Sequence, residues 1–228
     1  MAVASSPRRI PTWDLPLRLC HWLLVALVID AWISNKFGDI RLRWHIWNGY
    51  AILTLLVFRI IWGFVGSTTA RFTNFMTRWS VVVHYLKSTM HGDTPSYPGH
   101  NPAGGWSVAA MLFLLIILGV CGLFASDDII ASGPLNFLVN ESMAGKLSTV
   151  HSMGFWLLLG LVALHLSGVF FYLLFKKDNL ITPMITGNKY AREGHPEPPL
   201  RIQSSWLALP VLIGSALLVW LGIQVWKW

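Results

Sequence analysis

Long apolar runs alternate with short polar stretches along the chain. Five runs, at roughly 16–33, 44–65, 105–125, 147–175 and 206–226, reach the ~20 mostly apolar residues that a helix needs to cross a bilayer. Little chain remains outside them for a soluble domain. The pattern predicts an all-α integral membrane protein. Four spans within residues 1–190 form a transmembrane bundle, and residues 191–228 supply a polar linker and a fifth, C-terminal span.

Between spans two and three, Phe72, Phe75, Met76, Trp79, Val82, Val83, Leu86 and Met90 recur at helical spacing, with Arg71, Arg78 and Lys87 among them. This predicts an amphipathic helix near 71–90, lying on the cytoplasmic face. The stretch NPAGGW places Asn101 as a cap and Pro102 at the first helical position of span three.

Composition agrees with the pattern. The chain is 54% hydrophobic and 12% charged, with a mean hydropathy of +0.56. The net charge of +7 is distributed as topology rather than as a nucleic-acid footprint. With the N-terminus inside, the cytoplasmic segments hold Arg8, Arg9, Arg18, Arg71, Arg78, Lys87, Lys176, Lys177, Lys189, Arg192 and Arg201. The outer ones hold Lys36, Arg41, Arg43, Lys146 and Lys227. This bias predicts a multi-pass inner-membrane protein with a cytoplasmic N-terminus and, from the odd span count, an outer C-terminus. The first run exceeds a usual signal-peptide core and no small-x-small site follows it, so it reads as a retained span. Cys20 and Cys121 stand alone within spans, which argues against disulfides, thiolate metal sites and covalent haem attachment.

The candidate chemistry lies in four histidines inside apolar runs: His21, His45, His151 and His165. Ionisable side chains in spans are uncommon, and each is a functional candidate. His151 and His165 are 14 residues apart, about 40° short of four full turns and about 21 Å along the axis. They share a face at two depths, too far apart for one metal ion but suited to two stacked flat macrocycles. Depth matching pairs His45 with His151 toward the outside and His21 with His165 toward the inside. A pore lining or satisfied buried imidazoles are the competing readings.

Gly49, Gly154 and Gly168 follow His45, His151 and His165 by one helical turn. They would admit a porphyrin plane, although small residues serve ordinary helix packing equally well. Arg59 follows His45 by the same 14 residues. It either neutralises a haem propionate or snorkels to the cytoplasmic headgroups. Imidazole on both axial faces suits a haem iron that transfers electrons rather than binding oxygen.

The phrases WDLPLRLCHW, RWHIWNGYAILTLLVFRIIWGFVGS, HNPAGGWS and VHSMGFWLLLGLVALHLSG resemble the bacterial di-haem cytochrome b561 family, over roughly residues 11–190. That family includes the cytochrome b subunits of membrane-bound nickel–iron hydrogenases. The resemblance implies that His21, His45, His151 and His165 are the axial ligands of two b haems in a four-helix bundle. It implies electron transfer between a quinone pool and a partner such as a periplasmic dehydrogenase, a hydrogenase or a c-type cytochrome. Some members act alone as superoxide oxidases that reduce quinone, and Lys36, Arg41 and Arg43 beside His45 would attract that anion. The fifth span departs from the compact family form. It contains no histidine, and it would dock a partner, form a homo-oligomer or cover a lipid-facing side.

His84, His91, His100 and His195 read as solvated histidines, with His100 a candidate for passing a proton to a quinone near the inner haem. Asp127, Asp128 and Glu141 make the outer loop acidic, which would steer a basic partner or simply solvate the loop. A haem-free transporter or structural subunit is the third functional class, and it predicts a colourless protein.

Overall fold

The computed structural model describes residues 9–38, 42–91, 97–127, 130–190 and 200–225. Arg8, Arg41, Asp128, Arg192, His195 and Lys227 lie outside the described residues, as does most of the linker between the fourth and fifth spans. Five helices are long and apolar enough to cross a membrane, in agreement with the sequence pattern.

The first, α1 (Leu15–Phe37), starts where the Asp14 carboxylate accepts the Leu17 N–H at 2.8 Å. Pro16 sits in the first turn, where no backbone donor is needed. Next comes α2 (Arg43–Val65). Two short helices follow, α3 (Phe72–Phe75) and α4 (Trp79–Met90), where periodicity predicted one. The break has a tertiary cause. The Phe75 carbonyl lies so close to Gly105 that a Cβ there would stand 2.8 Å from it, and the Trp106 indole N–H donates to the Thr77 carbonyl at 3.0 Å. Phe75 is thereby buried, and α4 turns so that Val82 and Tyr85, rather than Trp79 and Leu86, face the bundle.

The third span, α5 (Pro102–Phe124), begins with the expected cap: the Asn101 side chain accepts the Gly104 N–H at 2.7 Å. The fourth, α6 (Glu141–Leu174), starts well before the apolar run. The Asn140 side chain accepts the Met143 N–H at 2.9 Å, and Glu141 suits the positive helix end. At 34 residues it is about 51 Å long and projects beyond a ~30 Å hydrocarbon core. After α7 (Ile181–Thr186) comes the closing span, α8 (Ala208–Gln224).

Packing makes α2 the central helix. In its most apolar window 44% of residues are buried, against 6% in α6. α1 packs on α2, α2 on α5, and α5 on α6. The two outer members of that series, α1 and α6, do not pack along their lengths. They are tied at one end instead by a two-stranded antiparallel ribbon of β1 (Arg9–Pro11) and β2 (Asn188–Tyr190), which pairs Ile10 with Lys189. The Thr12 and Trp13 N–H groups both donate to the Gly187 carbonyl, at 2.8 and 3.0 Å. Gly187 has φ +87°, the left-handed region that favours glycine, where an added Cβ would lie 2.9 Å from the Trp13 carbonyl.

The fifth span covers its own chain. Leu207, Ala208 and Val211 pack against Leu17, Cys20, Phe58 and Trp62, and α8 runs along α2. Its approach is fixed by backbone bonds: Arg201 and Thr68 exchange hydrogen bonds, and the Gln203 N–H donates to the Ser67 hydroxyl at 2.8 Å. The opposite face, including Leu209, Ile213, Leu217 and Leu221, is exposed and apolar, as a lipid-facing surface requires.

Candidate functional site

His45 on α2 and His151 on α6 bring their rings together. Their ring centroids are 5.9 Å apart and the rings are inclined at 86°. His45 Nδ1 lies 2.9 Å from the Ala31 carbonyl, and His151 Nδ1 lies 2.8 Å from the Leu118 carbonyl. A carbonyl only accepts, so each Nδ1 carries a proton, and in the neutral imidazole Nε2 is then the atom with the lone pair. That tautomer, anchored by a backbone carbonyl, is the arrangement of a metal-ligating histidine. Two imidazoles gripping one metal from opposite sides with bonds of about 2 Å have centroids roughly 6 Å apart, close to the observed separation.

Gly122 on α5 makes the His151 position available. A Cβ there would lie 3.0 Å from His151 Cε1 and 3.2 Å from Nδ1. Nothing in the sequence distinguishes this glycine from its neighbours in an apolar helix, and it was not among the expected site residues. Of those that were, Gly49 and Gly168 open onto space with no protein atom within 4 Å of an added Cβ. Gly154 does not. A Cβ on it would lie 2.7 Å from Leu118 Cδ2, so its small size serves the α5–α6 contact rather than a flat cofactor.

The second pair is less closely drawn together. His21 on α1 and His165 on α6 are half-buried and lie within electrostatic reach of each other. They project from the two helices joined by the ribbon rather than by packing. His21 Nδ1 is enclosed and makes no hydrogen bond within the protein.

Arg59 stands beside this pair, and it does not snorkel. The residue is 4% exposed. Its guanidinium lies 4.9 Å from the centroid of the Phe72 ring, which closes over it from α3. Phe72 reaches that position because Gly63, one turn along α2, has no side chain: a Cβ there would fall 2.0 Å from the ring. Both terminal guanidinium nitrogens are enclosed and unpaired. Asp14 is within electrostatic reach, but its carboxylate is committed to the Leu17 N–H and to the Trp62 indole N–H at 3.1 Å. Arginine stays protonated, and a buried charge deprived of its partner costs about 3–5 kcal/mol. The pocket therefore fits a group that brings an anion to it, as a haem does with its propionates.

His100 was expected to be solvated, and its environment is different. Part of the residue is exposed, but Nδ1 is enclosed and unpaired. The ring packs on Trp13 at 4.8 Å and Phe75 at 4.7 Å between centroids. Burial, with the charge of Arg59 beside it, pushes its pKa down to about 3, so the imidazole is neutral. His84 and His91 are exposed as expected, and His91 Nδ1 bonds the Lys87 carbonyl at 2.8 Å. Asp127 is occupied locally, since its carboxylate accepts the Ile130 and Ala131 N–H groups.

Among the described residues, no three His, Cys, Asp or Glu side chains converge as a protein-only metal site would require. Paired imidazoles suit a metal whose remaining ligands come from a macrocycle. The comparisons agree. The profile of the prokaryotic cytochrome b561 family matches residues 12–187, which stops short of α8. The chain is also similar to a "Probable Ni/Fe-hydrogenase B-type cytochrome subunit" of Bradyrhizobium diazoefficiens. The two are 22% identical over 232 residues, covering 84% of this chain and 92% of that protein. The chain belongs to the prokaryotic cytochrome b561 family and is a multi-pass bacterial membrane cytochrome of the b type that takes part in electron transfer.

Proposed function

We propose that the chain carries two b haems, one between His45 and His151 and one between His21 and His165. It passes electrons across the membrane between a quinone and a redox protein at the outer face, with its N-terminus in the cytoplasm. The observation that carries this reading is the His45–His151 pair, 5.9 Å apart with both Nδ1–H groups held by backbone carbonyls. A pore lining has no need of two adjacent imidazoles whose Nδ1–H groups are both held by backbone carbonyls.

In this reading Ala31 and Leu118 fix the ring orientations, and Gly122 lets the His151 ring seat against α5. His165 lies about 21 Å from His151 along α6 and forms the second pair with His21. Arg59 supplies the positive charge for an inner propionate. The haem, when bound, supplies the one-electron couple, and the protein supplies ligation, charge and exclusion of water. The positive-inside distribution of Arg9, Arg18, Arg71, Arg78 and Lys87 supports the orientation. The similarity to a hydrogenase cytochrome subunit supports a separate redox protein as the partner.

The test is haem content in His151→Ala and His165→Ala. Each variant is expected to retain about one haem per chain and to lose a different spectral component. Undiminished haem in either one removes that histidine from the ligand set. Purified protein that is reduced by quinol but inert to superoxide places it with the electron-transfer subunits. Rapid partner-free reduction by superoxide would move it to the superoxide oxidases.

A further inference from the structure

The enclosed polar atoms near the inner end belong to two side chains from different elements. Arg59 comes from the middle of the bundle on α2, and His100 from the segment that leads into α5. His100 is within electrostatic reach of Arg59, His165 and His21. Arg59 leaves both terminal nitrogens unpaired and His100 leaves Nδ1 unpaired, all of them enclosed. Three enclosed nitrogens without acceptors, on neighbouring residues, describe a site for an acceptor group. Since Arg59 is a fixed cation, that acceptor is anionic.

We propose that Arg59 and His100 form a two-donor carboxylate clamp that holds a propionate of the inner haem, with Arg59 as its charged arm and the His100 imidazole as its second, hydrogen-bonding arm. The inference rests on the haem assignment above and adds His100 to it as a positioning residue.

The architecture favours a carboxylate reaching in from within the bundle over a phosphate arriving from the lipid surface. Phe72 closes one side of the guanidinium, and Trp13 and Phe75 flank the imidazole. Rings thus occupy these sides of the two donors, and His21 and His165 lie within electrostatic reach of His100. The imidazole would donate one N–H to the carboxylate beside the guanidinium. A haem bound here would gain one negative charge on reduction, which Arg59 would offset, while the His100 N–H would spread the charge of the propionate. Removal of either arm therefore lowers the midpoint potential of the inner haem.

The test is spectroelectrochemical titration, with haem quantification, of the full chain and of Arg59→Gln, Arg59→Lys, His100→Phe and His100→Gln. The inner transition is identified as the one missing from His165→Ala. The expected result is a downward shift or partial loss confined to the inner transition in Arg59→Gln and His100→Phe. Arg59→Lys and His100→Gln, which retain a cation and an N–H donor, recover most of it. The intact outer transition shows that the fold survives. Two haems with unmoved midpoints in both Arg59→Gln and His100→Phe would overturn the clamp and leave the haem assignment standing. Co-purification of one tightly held phospholipid per wild-type chain, lost selectively in Arg59→Gln while both midpoints stay put, would overturn it in favour of a headgroup. A wild-type protein without haem overturns the functional proposal itself.

Discussion

Adding one methyl group at Gly122 separates ligand geometry from overall stability. In Gly122→Ala the new Cβ would stand 3.0 Å from His151 Cε1, whereas carbon atoms pack best at about 3.5–4.0 Å, so the imidazole retreats by roughly 0.5 Å or rotates. Its restraint is the bond from Nδ1 to the Leu118 carbonyl, 2.8 Å long and one turn away on the same helix that carries the new methyl. Weakening that bond costs about 0.5–1.5 kcal/mol. Replacing a glycine in the last turn of a helix by alanine returns at most about 1 kcal/mol. The two nearly cancel, so the melting temperature in detergent should hardly move. The ligand does not share in that cancellation, because a displacement of about 0.5 Å is already the tolerance of a working site. The expected outcome is reduced occupancy or altered low-spin bands of the outer haem at near-normal stability. Haem quantification, redox titration and thermal unfolding of the same preparation read all three quantities. Gly160→Ala, where a Cβ meets nothing within 4 Å, is the control. A Gly122→Ala protein with full haem and an unchanged outer transition would refute the claim that His151 is seated by Gly122 for ligation.

Other perturbations follow from the same contacts. Asp14→Ala removes the α1 cap, about 0.5–2 kcal/mol, and leaves the buried Trp62 N–H without its acceptor, about 1–3 kcal/mol; unfolding in detergent should show a loss of roughly 2–4 kcal/mol. Gly168→Leu fills open space beside His165 and should displace the inner haem, measured as a fall toward one haem per chain, whereas unchanged content would mean that this space faces lipid. Truncation before Arg201 removes α8, which contributes no ligand. Haem content should persist, while the uncovered Leu17–Phe58–Trp62 surface lowers the detergent melting temperature.

The spans were legible because bilayer thickness imposes a length and backbone desolvation imposes a helix, both of which composition reveals. The Asn101–Pro102 cap was legible for a local reason, since cap and donor are three residues apart. The depth pairing of the histidines came from helical rise together with the alternation of span direction, and the rings of His45 and His151 lie 5.9 Å apart between centroids. What sequence could not show depends on distant chain. The break between α3 and α4 is dictated by Gly105 and Trp106, which no local periodicity registers. The ribbon joins Arg9 to Tyr190 across the whole bundle. The glycine that seats His151 lies on another helix, while Gly154, one turn from that histidine, packs on Leu118 instead. The ring that closes over Arg59 is that of Phe72, which comes from α3 and not from the span that carries the arginine.

The central claim is that the four histidines within the membrane hold iron. The most direct measurement is haem per chain by the pyridine haemochrome method on detergent-purified protein expressed with ample haem, together with oxidised and dithionite-reduced spectra. The account predicts about two non-covalent b haems per chain with low-spin, six-coordinate bands in both oxidation states. A colourless protein, or one haem whose loss requires none of His21, His45, His151 and His165, would contradict it.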